Sequence, residues 1–291
     1  MPAWDGAGVV EAVGSAVKDF RAEDRVVTFF APKLASSRGD NALATMSDVR
    51  EMLGHGTDGT LRSRGVFPET ALVHAPKTLD WLPAGTLACN WPTAWNALFG
   101  MKGREARSDS FVLVQGTGGL SMAALQLAIA TGATVIATTS TDDKAARLKD
   151  LGVAYTINYK TNPNWAEEAR GLTPDKRGFD FVLDVGGNET LPRSLAAARI
   201  DGLVLILGLV GKEAETVPMI MAMLHTCVVR GVMGGSRNHL KELVRFIDEK
   251  KIVPVIDEVV FELADAKEAY KRLEAKEHFS KVVIRIDHPE D

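Results

Sequence analysis

Cysteine is scarce in this chain: Cys89 and Cys227 are the two present in 291 residues, far apart and in no paired spacing. A disulfide-stapled secreted scaffold is excluded on that ground. Surplus positive charge is lacking too, with 34 lysines and arginines against 38 aspartates and glutamates and a net charge of -4. No basic stripe is left to neutralise a phosphate backbone, so nucleic acid is not an expected partner. Long apolar runs are missing, which argues against a bilayer-crossing helix and a membrane partner. The opening Met1-Pro2-Ala3-Trp4-Asp5 has no basic stretch leading into an apolar one, so no secretory leader is expected. The expected setting is the cytoplasm. What is present, 46% hydrophobic and 25% charged residues, is the mix of a globular protein with one large or two medium domains.

The first 30 residues read as strands and turns, with candidates at Gly8–Gly14 and Arg25–Phe30. Residues 31–65 are polar and glycine-containing, and read as a long loop with one short helix near 46–53. The register changes after about residue 83. Apolar strand candidates at 111–115, 133–138, 155–158, 179–185, 202–207 and 226–231 alternate with helical patterns near 119–131, 142–150, 163–171, 189–198 and 236–250. Phe111-Val112-Leu113-Val114 and Leu203-Val204-Leu205-Ile206-Leu207 are apolar throughout, as in strands of a parallel sheet covered on both faces. The tail reads strand 258–261, helix 264–276 and strand 281–286.

The sharpest local feature is Phe111-Val112-Leu113-Val114-Gln115-Gly116-Thr117-Gly118-Gly119-Leu120-Ser121. It reads strand, glycine turn, helix start. Gly116 and Gly118 fit the first two positions of G-x-G-x-x-G, and Ser121 takes the third. The first glycine permits the tight turn, the second lets a pyrophosphate approach bare backbone, and a small third residue lets the helix pack on its strand. Free N–H groups at the helix start favour an anion there. With the strand at Val135-Ile136-Ala137-Thr138 at the expected distance, the pattern indicates a dinucleotide site. The cofactor expected is NADPH. An NAD site usually carries an acid at the end of the second strand, to bind the ribose 2′-hydroxyl. Here that end reads Thr138-Thr139-Ser140, and Lys144, Arg147 and Tyr159 are placed to meet a 2′-phosphate.

Five ordered blocks then carry a resemblance: Asp5 to Gly14, Asp24 to Val27, Thr93 to Leu98, Gln115 to Ser121 and His278 to Ile284. In this order the chain resembles the medium-chain dehydrogenase/reductase family, in its zinc-type alcohol dehydrogenase-like and quinone oxidoreductase branch. The resemblance implies an α/β fold in which a Rossmann doubly wound parallel sheet, residues 89–251, is inserted in a GroES-like β-barrel domain built from 1–88 and 252–291. It implies a cofactor in the cleft, a homodimer and a small-molecule substrate. It places Thr93 near the cofactor phosphate, Val185-Gly186-Gly187 near the adenosine or ribose, Gly208, Leu209 and Val210 along the nicotinamide, and Ser280 and Lys281 against the cofactor from the returning chain.

Departures from the family pattern set the remaining expectations. Members with catalytic zinc carry a Gly-His-Glu triplet where this chain reads Ala3-Trp4-Asp5, so tryptophan stands at the histidine. Cys89 falls where a cysteine ligand occurs, but one thiolate is no zinc site, because a catalytic zinc wants three protein ligands. The cysteine-rich structural lobe is missing as well, and no zinc is expected. The first block ordinarily lies some tens of residues into a member of the family, whereas here it opens at Met1. Early barrel strands are therefore expected to be missing, leaving a partial barrel, whether through a truncated gene model, a shortened natural protein or a decayed copy.

No general acid emerges. The histidines at 55, 74, 225, 239, 278 and 288 show no metal spacing and read as surface or loop residues, and Arg237 reads as a surface arginine at a helix start. Without zinc a carbonyl oxygen has no Lewis acid to polarise it. The expected activity is therefore hydride transfer from NADPH to an enone or quinone. An alcohol dehydrogenase-type activity, and cofactor binding with little turnover, stand as the alternatives.

Overall fold

The structure, a computed structural model, describes residues 1–286. Strands run in chain order as β1 (Ala7–Val9), β2 (Arg25–Thr28), β3 (Leu72–His74), β4 (Phe111–Gln115), β5 (Thr134–Thr139), β6 (Tyr155–Asn158), β7 (Phe179–Asp184), β8 (Ala198–Ile206), β9 (Val228–Gly231), β10 (Ile256–Glu262) and β11 (Lys281–Arg285). Helices are α1 (Pro32–Arg38), α2 (Trp81–Ala84), α3 (Asn90–Phe99), α4 (Gly119–Ala130), α5 (Asp142–Asp150), α6 (Trp165–Gly171), α7 (Leu191–Ala197), α8 (Ile220–Leu224), α9 (Arg237–Lys250) and α10 (Ala266–Glu274). Among the described residues no helix is long and apolar enough to cross a membrane. The chain divides into two compact units. The first comprises Met1–Asn96, Gly118–Ala123 and the chain from Met233 onward; the second comprises Ala97–Thr117 and Ala124–Val232.

The second unit holds a six-stranded parallel sheet in the order β6-β5-β4-β7-β8-β9. Counted from β4, that is 3-2-1-4-5-6, the doubly wound Rossmann arrangement. Its central strands are apolar because both faces are covered. Val112, Leu113, Val114, Ile136, Val204 and Leu205 are completely buried. Leu113, Ile136, Val182 and Val204 form one cluster with Trp165 of α6 and Leu195 of α7. Burying each such side chain contributes roughly 1.5–3 kcal/mol. The start of α5 follows from its caps: Thr141 Oγ1 accepts from the Lys144 N–H at 3.3 Å, and Asp142 and Asp143 sit in the first turn. The strand order reverses between β4 and β7, the place in such sheets where the loops part and a ligand can enter.

The first unit holds the antiparallel sheet β1-β2-β3 and the parallel pair β10-β11. Val27 of β2 lies opposite Ala7 on one side and Val73 on the other. Its core includes Phe29, Phe30, Leu87, Ala94 and Phe279, all buried. In α9, Leu240, Leu243, Val244 and Ile247 recur at helical spacing and face inward. Ser236 closes the helix start, its Oγ accepting from the His239 N–H at 3.1 Å.

Several expectations differ from what is found. Residues 31–65 hold more than the one short helix expected near 46–53: that helix is present as a 3-10 helix over Met46–Glu51, but α1 also occupies Pro32–Arg38, with proline opening its first turn. The strand expected over 8–14 ends at Val9. Helix α3 escaped notice because its apolar residues are flanked by further apolar residues, and Pro92 inside its first turn reads as a breaker. Arg237 is not on the surface: its side chain is 4% exposed and pairs with Asp40. His288 lies outside the described residues.

Candidate functional site

The glycine turn follows β4 directly. Gly116 has φ +72°, a conformation that L side chains rarely adopt, and its N–H donates to Thr138 O at 2.9 Å. A Cβ built on Gly116 or on Gly118 would meet nothing, and Gly118 is exposed. Both positions thus open onto free space, so the backbone there is accessible to a ligand. Thr117 is buried and Leu120 half-buried. Ser121, in the third motif position, is 3% exposed, as its packing role requires.

Gly119 is different. A Cβ there would come within 2.5 Å of both Asn90 Nδ2 and Lys281 Cδ. The Lys281 stem therefore lies on the bare backbone at the start of α4. One residue earlier on each side, Gly118 and Ser280 form an isolated parallel bridge. Ser280 takes φ +64°, is buried, and donates through Oγ to Val255 O at 2.6 Å. The Lys281 ammonium donates to Asp5 Oδ2 at 2.5 Å. The other carboxylate oxygen, Oδ1, accepts from the Ala88 and Cys89 N–H groups at 2.9 and 3.3 Å. Desolvation works against the Lys281 ammonium, but the charge and hydrogen bond of Asp5 prevail and hold its pKa above the ordinary lysine value. Burial, with the negative charge of Asp5, pushes the Cys89 thiol up to about 12. Thr93 is buried and donates through Oγ1 to Cys89 O at 2.6 Å, one turn back in the chain.

The remaining expected site residues lie in the second unit. Ser140 and Lys144 are half-buried at the start of α5, and Tyr159 is 42% exposed just after β6. Tyr159 N–H donates to Thr139 O at 3.0 Å, which ties the end of β6 to the end of β5. Two carboxylates follow closely, and Asn158 Nδ2 donates to Asp142 Oδ1 at 3.3 Å. The loops after β7 and β8 are joined by backbone bonds from Val210 to Val185 O at 3.0 Å and from Gly211 to Gly186 O at 3.2 Å. Gly208 is half-buried between them, whereas Leu209 and Val210 are strongly exposed.

Among the described residues, zinc finds no fitting donor set. Trp4, at the position of the family histidine, stacks its ring on His55 with centroids 5.0 Å apart and planes 6° from parallel. The Asp5 carboxylate is taken by two amides and an ammonium, which leaves the Cys89 sulfur without companion ligands around a common point. Among the described residues no group of three or more His, Cys, Asp or Glu could hold a metal ion. Three protein ligands are the minimum for a catalytic zinc.

A parallel sheet in this order, with a glycine turn at its reversal point, defines the class of dinucleotide-binding α/β folds. Comparison with known proteins carries this further. The family model described as zinc-binding dehydrogenase matches residues 119–249. The zinc-type alcohol dehydrogenase-like protein C1773.06c of Schizosaccharomyces pombe is 40% identical over 99% of this chain and 82% of its own length. A solved structure of an NAD-dependent alcohol dehydrogenase superposes with a TM-score of 0.84 at 32% identity, covering 98% of this chain and 83% of that one. The chloroplastic NADPH-dependent alkenal/one oxidoreductase of Arabidopsis thaliana is 27% identical over 98% of this chain and 63% of its own. The chain belongs to the medium-chain dehydrogenase/reductase family, in its zinc-type alcohol dehydrogenase-like branch, and is an NAD(P)-dependent oxidoreductase of that type.

Asp5 is the residue that sequence reasoning missed. Its signal was its place in the first block, next to the departure at Trp4, but nothing in the sequence tied it to a lysine 276 positions away.

Proposed function

We propose that this protein is an NADPH-dependent, zinc-independent reductase of small substrates with a double bond conjugated to a carbonyl, enones or quinones. The observation that carries the cofactor half is the open space above Gly116 and Gly118. Diphosphate-binding residues in this reading are Thr93, Gly116, Thr117, Gly118, Gly119, Leu120 and Lys281. Ser140, Lys144 and Tyr159 meet the 2′-phosphate end, and Gly208, Leu209 and Val210 the nicotinamide. The strong exposure of Leu209 and Val210 supports a role in covering an apolar ring. Asp142 and Asp143 lie beyond Ser140 and are exposed, so choice between the two nicotinamide cofactors rests on Lys144 and Tyr159 outweighing them.

The bound cofactor supplies the hydride; the chain's own residues bind, orient and exclude water. No step passes through zinc, because Trp4 and the occupied Asp5 carboxylate do not fit it. An enone or quinone spreads the incoming charge over its conjugated system and takes its proton from water, so it needs no metal. The names of several relatives favour a second reading, oxidation or reduction at an alcohol or aldehyde. We read residues 1–88 with 252–291 as the GroES-like catalytic part and 89–251 as the Rossmann part. We also assign a homodimer, supported by the position of β9 at the end of its sheet and by exposed Met219, Met223 and Leu224 in and beside α8. The cytoplasm is the assigned compartment, supported by two free cysteines.

The test is to mix the purified protein with NADPH or NADH and follow absorbance at about 340 nm, where reduced nicotinamide absorbs, across quinones, enones and aldehydes. Turnover of enones or quinones with NADPH preferred is expected. Turnover confined to aldehydes would select the second reading, and binding without turnover would leave a cofactor-binding protein.

A further inference from the structure

We propose that the cavity beside β2, the end of β3 and the chain leading into α2 is a binding site for a small phosphate-bearing molecule, held by Arg25 and Lys77. It lies within the first unit and uses none of the residues assigned to the cofactor, so it does not rest on the dinucleotide reading.

The cavity measures about 280 Å³ and is lined by Arg25, His74, Ala75, Pro76 and Lys77. Three of these side chains can carry positive charge, and no carboxylate lines it. Ala75 and Pro76 are buried, whereas His74 and Lys77 are exposed. The two strands hold the lining residues together, with Ala75 N–H donating to Arg25 O at 2.9 Å just beyond the β2–β3 pairing. The His74 ring packs on Phe20, centroids 4.8 Å apart.

Arg25 is the residue whose bonding is incomplete. Its guanidinium lies over Trp81, with Cζ 4.1 Å from the ring centroid, and Nη2 donates to Leu79 O at 2.7 Å. Its Nε is buried and has no acceptor. The ring face attracts the cation but offers no lone pair to the N–H. A buried donor without an acceptor costs free energy, which an incoming oxygen returns. Among the described residues no carboxylate pairs with Arg25 or with Lys77. Two acids close by are engaged elsewhere. Asp24 accepts from the Arg21 N–H at 2.9 Å. Asp248 of α9 accepts from the Lys77 and Thr78 N–H groups at 3.1 and 3.0 Å and from Thr78 Oγ1 at 2.8 Å.

The chemistry of the lining selects the ligand. A planar guanidinium takes two oxygens of an oxyanion at once. A carboxylate has only those two, whereas a phosphate keeps a further oxygen for the Lys77 ammonium. The volume falls just under the range of about 300–1,000 Å³ usual for drug-sized ligands, so the ligand is small.

Trp81 makes the site observable, because an oxyanion that engages Arg25 changes the charge lying on its ring. Tryptophan emission is recorded while inorganic phosphate, methyl phosphate or acetate is added, with chloride keeping the ionic strength constant. Both phosphates are expected to give a saturable change and acetate none, and Trp81→Phe should abolish it. Arg25→Gln should weaken half-saturation at least about tenfold, the size of one charge-assisted hydrogen bond. Arg25→Lys should recover little, because an ammonium lacks the fork. Lys77→Ala, at an exposed position, should weaken it about threefold. Methyl phosphate binding more tightly than inorganic phosphate identifies a phosphate ester as the ligand, and the reverse order identifies the free ion; both support the site. The proposal is overturned if the wild type shows no saturable change, if acetate matches phosphate, or if the change survives Trp81→Phe. It is also overturned if Lys77→Ala binds as the wild type does, a result that decides the matter even where Arg25→Gln fails to fold.

Discussion

Ser194 Oγ donates to Asp184 Oδ2 at 2.5 Å inside the second unit, where both side chains are completely buried. Asp184 ends β7, and its carboxylate also accepts from the Gly187 N–H at 2.8 Å and from Thr190 Oγ1 at 2.9 and 3.0 Å. Ser194 in turn accepts from Gln115 Nε2 at 2.7 Å. Gln115 is the last residue of β4, immediately before Gly116. A buried polar chain therefore joins the strand that carries the glycine turn to the loop after β7. Ser194→Ala removes one link and leaves Gln115 and Asp184 short of a partner, a cost of about 1–3 kcal/mol. Urea denaturation should show that loss, and NADPH affinity should fall with it because the turn loses its anchor.

Gly116 and Gly118 should separate stability from binding. Gly118→Ala meets nothing in the protein, and its φ is not in the left-handed region, so folding stability should stay within about 0.5 kcal/mol. NADPH binding should nonetheless weaken at least about tenfold, since the added methyl stands where the diphosphate must approach. Gly116→Ala is also free of contacts but sits at φ +72°, so it should cost about 1–2 kcal/mol in thermal unfolding before any ligand is added. Equal stability losses for the two variants would contradict this division.

Asp257 gives the first unit a defined acid sensitivity. Its side chain is fully buried. Burial alone would raise its pKa, but the Arg272 guanidinium at 2.8 Å and the Phe279 and Val259 N–H groups at 2.6 and 3.0 Å together hold it below the ordinary carboxylate value. A depressed folded-state pKa means that the stabilisation is complete above the unfolded value, about 3.9, and is lost as pH falls through the folded one. The melting temperature should therefore drop on acidification below about pH 4. Asp257→Asn should begin lower, by about 2 kcal/mol, and show a shallower acid decline.

Much of the second unit was legible in sequence because its strands are buried on both faces. Continuous apolar runs mark β4, β7 and β8, and the turn after β4 carries its own glycine signature. The expected spans 111–115, 142–150 and 155–158 coincide with β4, α5 and β6. The first unit was harder to read. Its strands are three or four residues long, too short for alternation to register, and α1 begins at a proline in a polar stretch. The glycines of the candidate site were visible, since their role is local. Asp5 was not, because its meaning depends on Lys281, and that pairing exists only after the chain returns.

Arg237 shows the same limit. Placed at a helix start, it reads as a surface residue, yet its guanidinium is buried against five acceptor contacts. Nη1 donates to both Asp40 oxygens at 3.0 and 2.8 Å, Nε and Nη2 donate to Leu72 O at 3.1 and 2.8 Å, and Nη2 also donates to Glu69 O at 3.2 Å. It thereby ties the start of α9 to the chain just after α1 and to the entry of β3. Arg237→Ala removes both donors to Leu72 O and two of the bonds to Asp40, although Glu69 O still accepts from the Leu72 N–H and Lys241 Nζ still reaches Asp40 at 2.6 Å. The expected cost is about 3–5 kcal/mol, the range for breaking a buried pair from one side. Arg237→Lys should recover little of it, because a single ammonium cannot serve a carboxylate and two carbonyls that the planar fork reaches together. Chemical denaturation of the two variants checks this, and a lysine variant as stable as the wild type would show that charge alone, rather than the fork, holds the segment.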